Sequence, residues 1–140
     1  MVPDLTNSEL VQETTIGGFG TLGVFHPPTD VPAETWRGAK LIGIRRLAAG
    51  DNESDEAVEK LHRDMEIMKS ADHPNLLKVF GTVMYNGAEY VAIEWIEGTN
   101  LAAAVARHTV QLNTAISIAR SCAAGLGAMA SAGCVHGDFR

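Results

Sequence analysis

The chain changes character at Gly98. Before this residue, short runs of β-branched and other apolar residues alternate with turns rich in glycine and proline, whereas alanine-rich segments follow it. Short apolar runs bounded by turn residues predict strands, and alanine favours helix. We therefore expect an α+β fold in three parts: a short, poorly ordered lead over residues 1–9, a sheet-based region over 10–98 and a helical region over 99–140.

The first region is expected to hold five antiparallel strands. A Gly-rich turn after residue 16 predicts a hairpin, the prolines of residues 27–32 predict an exposed loop, and Asn86-Gly87 is typical of a two-residue hairpin turn. Six strand-like runs are the candidates for these five strands, at residues 10–16, 21–25, 36–47, 76–80, 83–85 and 90–96.

One helix should pack on this sheet. Ser54 is a suitable N-cap, and the acids Asp55 and Glu56 follow in the first turn, where the helix dipole favours them. Pro74 marks the end of the helical segment. Apolar residues then recur at three- and four-residue intervals and predict one buried face, formed by Val58, Leu61, Met65 and Met68.

The second region predicts two further helices, over residues 101–107 and from Asn113 or Thr114 to about Ser131, with Gly133 as the residue that ends the second one. Gly125 and Gly127 lie inside this second helix, where each costs about 1 kcal/mol relative to alanine. Glycines at this cost indicate close packing against a neighbouring helix. The apolar stripe consists of Ile116, Ala119, Ala123, Leu126 and Ala130.

Composition excludes several classes of protein. An apolar fraction of 46% and a charged fraction of 20% are those of a folded globular chain. A formal net charge of -6 argues against a nucleic-acid partner. We expect no membrane partner, because no apolar stretch reaches the roughly 18 residues of a membrane span. Without a signal peptide, Cys122 and Cys134 are expected to be reduced thiols of a cytoplasmic protein rather than metal ligands.

Five segments, taken in order, carry a resemblance to a known family. They are the turn with Gly17, Gly18 and Gly20, then Ile42-Gly43-Ile44-Arg45, His73-Pro74-Asn75, Glu94-Trp95-Ile96-Glu97-Gly98 and His136-Gly137-Asp138. This series resembles the first half of a eukaryotic-type protein kinase domain, of the tyrosine-kinase-like group, from Leu10 to Arg140. The resemblance implies a kinase-like N-lobe with a nucleotide site over residues 10–98 and the truncated start of a C-lobe over 99–140.

The resemblance also implies an ATP site. Leu22 would pack against the adenine, Gly43 would replace the alanine above it, and Ile93 would lie behind it. The Glu94 carbonyl and the Ile96 N–H would bind the adenine edge. The Gly-rich loop would cover the phosphates, because only glycine lets the main chain approach them closely. The implied cofactor-binding residues are Ile16, Gly18, Gly20, Leu22, Gly43, Ile93, Glu94 and Ile96.

The resemblance implies three catalytic positions, and two of them hold a residue that differs from the one usual in the family. Arg45 replaces the lysine that pairs the phosphates with a helix glutamate, Asp64 replaces that glutamate, and Asp138 would be the catalytic-loop base. Mg²⁺ is expected in the family, but its Asn and Asp-Phe-Gly ligands are not among the 140 residues, so no metal ligand is assigned. We expect these residues alone to transfer no phosphate. Phe139-Arg140 resembles the Leu-Lys of serine/threonine kinases and favours that specificity.

Other functions stay open at this stage. A pseudokinase, or a kinase-derived module that binds nucleotide or protein, is favoured by Arg45, Asp64, Gly137 and the Gly-rich loop, which is two residues shorter than is usual in the family. A small-molecule phosphotransferase of the aminoglycoside or choline type also carries His-Gly-Asp, and an unrelated α+β domain would need several ordered coincidences. The expected partner is a protein substrate or a protein ligand. Self-association or aggregation is also expected, through the exposed apolar stripe of the helix over residues 113–131.

Overall fold

The computed structural model describes residues 2–16, 20–47 and 55–136 of the 140-residue chain. Along these residues lie β1 (Leu10–Ile16), β2 (Gly20–Phe25), a 3₁₀ turn (Ala33–Trp36), β3 (Ile42–Arg46), α1 (Asp55–Ser70), β4 (Val79–Tyr85), β5 (Ala88–Glu94), α2 (Leu101–Ala106) and α3 (Leu112–Ser131). The chain forms two compact units: a sheet unit of residues 1–70 and 77–95, and a helical unit of residues 71–76 and 96–140.

The strands form one five-stranded sheet in the order β1-β2-β3-β5-β4, with every neighbouring pair antiparallel. This confirms the predicted sheet and its α+β class. The turn between β4 and β5 is the predicted one: Asn86 and Gly87 both have positive φ, at 49° and 75°, as a two-residue hairpin turn requires.

The third strand is shorter than its sequence predicts. Trp36 lies in the 3₁₀ turn rather than in β3, and the chain then reverses through Arg37 and Gly38, whose φ angles are 49° and 77°. The indole stays 2% exposed and meets Phe80 edge to face, with ring centroids 5.8 Å apart. Burial of this large aromatic residue therefore favours a turn where the apolar pattern alone predicts a strand.

The two short runs predicted at residues 76–80 and 83–85 form the single strand β4. The register shifts between Val79 and Gly81, and Gly81 has a φ of 117°, which glycine alone adopts readily. The irregularity leaves room for α1, since the aliphatic part of Lys69 lies 3.6 Å from the place where a Cβ of Gly81 would be. A bulge thus bends β4 where the sequence suggests an interruption.

Each face of the sheet has its own apolar cluster. The predicted face of α1 packs through Met65 and Met68, whereas Leu61 is 38% exposed. On the α1 side the buried residues are Leu22, Met65, Val79 and Ile93. On the other side they are Leu5, Phe25, Trp36, Ile42, Ile44, Phe80, Val83 and Ala92.

Residues 3–6 of the N-terminal lead pack on the sheet, which corrects the expectation of a poorly ordered lead. Leu5 is 0% exposed in the second cluster. Its N–H donates to the Met84 carbonyl at 2.8 Å, and the Met84 N–H donates to the Pro3 carbonyl at 2.8 Å. Residues 3–6, hereafter the N-terminal strap, therefore pair with the edge of β4. The polar composition of this segment conceals its one buried leucine.

Local signals explain the helices of the helical unit. The Asn100 side chain caps α2 by accepting a hydrogen bond from the Ala103 N–H at 2.8 Å. Helix α3 starts at Leu112, before the predicted cap residues, and Gly133 follows its end with a φ of 88°. Gly125 is buried, and a Cβ there would lie 2.7 Å from the Asn75 carbonyl oxygen. Its neighbour is thus the His73-Pro74-Asn75 segment.

Candidate nucleotide site

Three strands of the sheet unit bring apolar side chains together around Gly43. Gly43 is paired with Val24 of β2 and with Ile93 of β5. A Cβ placed on Gly43 would lie 3.4 Å from Ile93 Cγ1, 3.7 Å from Trp95 Cε3 and 3.8 Å from Leu22 Cδ2. Leu22 and Ile93 are 2% and 7% exposed. Leu22, Gly43, Ile93 and Trp95 form what we call the Gly43 wall.

Three residues of this wall are predicted site residues, and the structure brings them together. Trp95 is the member that the sequence analysis missed. It follows Ile93 by two residues, and side chains two residues apart in an extended chain share one face of the sheet. The Trp95 N–H continues the pairing by donating to the Leu41 carbonyl at 3.3 Å. Strand alternation from Ile93 was the signal that could have identified it.

Arg45 and Asp64 lie on the two elements for which they are predicted. Arg45 is exposed on β3 and follows Gly43 by two residues, which places both on one face. Its strand partner is Val91. Asp64 lies on α1, where its carboxylate forms an ion pair with Lys60 one turn earlier. The approach of Arg45 to Asp64 stays a prediction.

Glu94 has a fixed side chain at the end of β5. Its Oε1 accepts a hydrogen bond from the Lys78 main-chain N–H at 2.9 Å, and its own N–H donates to the Lys78 carbonyl at 3.0 Å. The Lys78 ammonium group lies 4.0 Å from the other carboxylate oxygen. Ile96, the second predicted edge contact, belongs to the helical unit and is 62% exposed.

Several predicted site residues lie outside the described ranges. Gly17 and Gly18 of the Gly-rich turn and Asp138 of the catalytic loop are among them. Of the flanking residues, the backbones of Ile16 and Gly20 pair with each other at the end of the β1–β2 hairpin. The predicted hairpin is therefore confirmed, whereas the role of its turn stays a prediction.

The Gly43 wall suits a flat, apolar ring system. Its side chains are aliphatic or aromatic, and all three lie at ordinary contact distance from the Cβ position of Gly43. The described part of the chain does not offer a comparable set of ligands for a divalent cation. Within residues 2–16, 20–47 and 55–136, no three His, Cys, Asp or Glu side chains cluster in a way that could hold a metal.

A family profile described as protein tyrosine and serine/threonine kinase matches residues 31–140. The chain belongs to this protein kinase family. The match starts after the Gly-rich hairpin and therefore includes Gly43, Arg45, Asp64 and Ile93 but not Leu22. Among solved structures, the kinase domain of Mycobacterium tuberculosis PknI is similar in fold, with a TM-score of 0.74 at 17% identity over 95% of this chain and 52% of that one.

The curated relatives of this chain include a tyrosine kinase and a serine/threonine kinase. The discoidin domain-containing receptor tyrosine kinase B of Caenorhabditis elegans is 30% identical over 99 residues, which are 70% of this chain and 12% of the relative. The serine/threonine-protein kinase cds1 of Schizosaccharomyces pombe is 26% identical over 60% of this chain and 18% of its own length. The chain thus spans less than a fifth of either relative.

None of the helices in the described ranges has both the length and the apolar character needed to cross a membrane. The cytoplasmic location expected from the sequence stays a prediction.

Proposed function

We propose that this chain carries the adenine-binding part of an ATP-dependent protein kinase that phosphorylates serine or threonine. The observation that carries the proposal is the convergence of Leu22, Gly43 and Ile93 from three strands. Leu22 is far from Ile93 in sequence, and the convergence of the three residues supports the adenine pocket that the family resemblance implies. Membership of the protein kinase family supports ATP as the nucleotide.

Each part of the nucleotide has a chemical counterpart in this proposal. The faces of adenine are apolar and pack on Leu22 and Gly43, while the edge of the ring binds the Glu94 carbonyl and the Ile96 N–H. The loop that contains Gly18 and Gly20 covers the phosphates, and Arg45 supplies positive charge to them. Asp138 accepts the proton of the substrate hydroxyl group. Mg²⁺, for which no ligand is assigned among these residues, would neutralise phosphate charge when bound.

Substrate class is the finer part of the proposal. One relative is a receptor tyrosine kinase and another is a serine/threonine-protein kinase, so the relatives do not choose between the two. The preference for serine and threonine rests on Phe139-Arg140. A peptide panel that offers matched serine, threonine and tyrosine acceptors to the complete kinase domain would decide it.

A second candidate is a pseudokinase or nucleotide-binding module. Asp64 is engaged by Lys60 of its own helix, and an arginine stands where the family uses a lysine. Guanidinium and ammonium groups differ in shape and hydration, so normal catalysis is not ensured by an Arg–Asp pair. Measured on a protein that contains the complete kinase domain, ATP binding that is equally tight with Mg²⁺ and with EDTA favours this second candidate. Binding at least tenfold tighter with Mg²⁺ favours the kinase.

Isothermal titration calorimetry with ATP tests the adenine site. Gly43→Ala adds a methyl group at ordinary contact distance and should keep binding. Gly43→Leu fills the wall and should weaken binding at least tenfold. The matched control is Gly127→Leu, because nothing lies within 4 Å of a Cβ at this helical position. ATP binding that survives Gly43→Leu in a folded protein would contradict the proposal.

A further inference from the structure

The pairing between Lys78 and Glu94 departs from a regular antiparallel ladder. Val79 pairs with Ile93, so Lys78 stands opposite Glu94. In a hydrogen-bonded antiparallel pair, the two residues exchange both of their main-chain N–H···O=C bonds. Here only one of the two main-chain hydrogen bonds follows this rule, the one from the Glu94 N–H to the Lys78 carbonyl at 3.0 Å. The Lys78 N–H donates instead to the Glu94 carboxylate, at 2.9 Å.

The carboxylate of Glu94 thus takes the donor that a regular ladder would give to the Glu94 carbonyl oxygen. Strand β3, the other neighbour of β5, does not supply a main-chain N–H in place of that of Lys78. On the β3 side, the Trp95 N–H donates to the Leu41 carbonyl, so the hydrogen-bonded pair there is Leu41 with Trp95, and Ile42 opposite Glu94 is a non-hydrogen-bonded pair. The replacement of a carbonyl acceptor by a carboxylate acceptor thus concerns Glu94 and its partner Lys78.

The structure assigns to the Glu94 carboxylate the role of a positioning residue that keeps its own main-chain carbonyl available to the adenine amino group. This inference rests on the proposed ATP site, because there the Glu94 carbonyl binds the adenine edge. The side chain is 25% exposed and holds its position by a bond to main chain. Its oxygen accepts the Lys78 N–H at 2.9 Å and so occupies the main-chain donor that stands opposite the Glu94 carbonyl.

The chemistry predicts which substitutions matter. Glu94→Gln keeps a side-chain oxygen at the same reach and should preserve the arrangement. Glu94→Ala removes the competing acceptor, so the Lys78 N–H returns to the Glu94 carbonyl and completes the ladder. Lys78→Ala removes only the ammonium group, which lies 4.0 Å from the carboxylate, and it leaves the main-chain donor in place. It is therefore the control for the ion pair.

Nucleotide selectivity is the direct readout. ATP and purine riboside triphosphate differ by the 6-amino group, which donates the hydrogen bond in question. We expect the unmodified chain, Glu94→Gln and Lys78→Ala to prefer ATP by about tenfold, the value of one good hydrogen bond. Glu94→Ala should bind both triphosphates equally, with a thermal melt that shows a folded protein. A merely structural role of Glu94 would change the affinities for ATP and for purine riboside triphosphate together and leave their ratio unchanged. An unchanged ratio in Glu94→Ala therefore overturns the inference.

A nucleotide-free measurement separates this inference from the proposed function. Through-hydrogen-bond NMR couplings should connect the Lys78 amide nitrogen to the Glu94 side-chain carboxyl carbon, and in Glu94→Ala to the main-chain carbonyl carbon of residue 94. A coupling to the main-chain carbonyl in the unmodified chain overturns the inference whatever nucleotides do. Correct couplings in a chain that binds neither triphosphate overturn the proposed ATP site, and the inferred role falls with it.

Discussion

The sheet unit and the helical unit bury their apolar residues very differently. Among the described residues, the large side chains that are fully buried all lie in the sheet unit: Phe25, Leu5, Leu22, Ile42, Ile44, Val24 and Val83. In the described part of the helical unit, the buried residues are Gly125 and Cys134. Its exposed apolar side chains include Leu101, Val105, Leu112 and Ile116.

The difference shows what determines local structure in each unit. The sheet unit has two apolar clusters, so packing fixes the strands and the Gly43 wall. In the helical unit, helix propensity and a cap such as Asn100 act without comparable burial. Substitutions should therefore be costly in the sheet unit and mild in the helical unit, except where two backbones approach closely.

The largest effect is expected at the core of the sheet unit. Phe25 is 0% exposed and meets Tyr85 edge to face, with ring centroids 5.1 Å apart. Phe25→Ala should lower the free energy of unfolding by about 3–5 kcal/mol in urea titrations. Leu112, which is 75% exposed, is the control in the helical unit, and Leu112→Ala should change it by less than about 0.5 kcal/mol. Equal losses at the two sites would remove the contrast between the units.

The N-terminal strap should behave as part of the core. Leu5→Ala is expected to cost about 2–5 kcal/mol, because it leaves a cavity in the cluster around Phe25. Val2, three residues earlier, is 48% exposed, so Val2→Ala should be nearly neutral. Urea unfolding of both variants measures the difference. A neutral Leu5→Ala would mean that the strap does not contribute to the core.

Two glycines of α3 refine the comparison within the helical unit. Gly125→Ala places a methyl group 2.7 Å from the Asn75 carbonyl oxygen and should destabilise by about 1–3 kcal/mol. Gly127→Ala meets nothing within 4 Å and should stabilise the helix by about 1 kcal/mol. Thermal melts followed by circular dichroism report both. If the two variants shift the melting temperature in the same direction, close packing against Asn75 does not explain the glycine at position 125.

The smallest effect concerns pH and the N-terminal strap. The side chain and backbone of Thr6 donate hydrogen bonds to the Asp4 carboxylate and lower its pKa from 3.8. A lowered pKa contributes stability that is present above 3.8 and is lost as the pH falls through the lower folded-state value. The Thr6 amide proton should therefore titrate by NMR with a midpoint below 3.8. Asp4→Asn should abolish this titration, and a midpoint above 3.8 would contradict the assignment.

Much of this architecture could be predicted from local signals. Turn residues such as Asn86-Gly87 and the apolar periodicity of α1 locate strands and helix, because they depend on neighbours in sequence. The same signals miss the burial of Leu5, the turn at Trp36 and the bulge at Gly81, since each depends on contacts with distant strands. In the site, Leu22, Gly43 and Ile93 could be predicted from family resemblance. Trp95 and the Glu94–Lys78 bond depend on strand register, which the sequence does not state.

Methyl NMR with ATP tests the central claim, that the sheet unit holds the adenine site, most directly. Leu22 and Ile93 belong to the Gly43 wall, whereas Leu112 and Ile116 are exposed in the helical unit. We predict saturable shifts of the Leu22 and Ile93 methyl signals on ATP addition, with the Leu112 and Ile116 signals unchanged. Shifts confined to Leu112 and Ile116, or no shift at saturating ATP, would contradict the account.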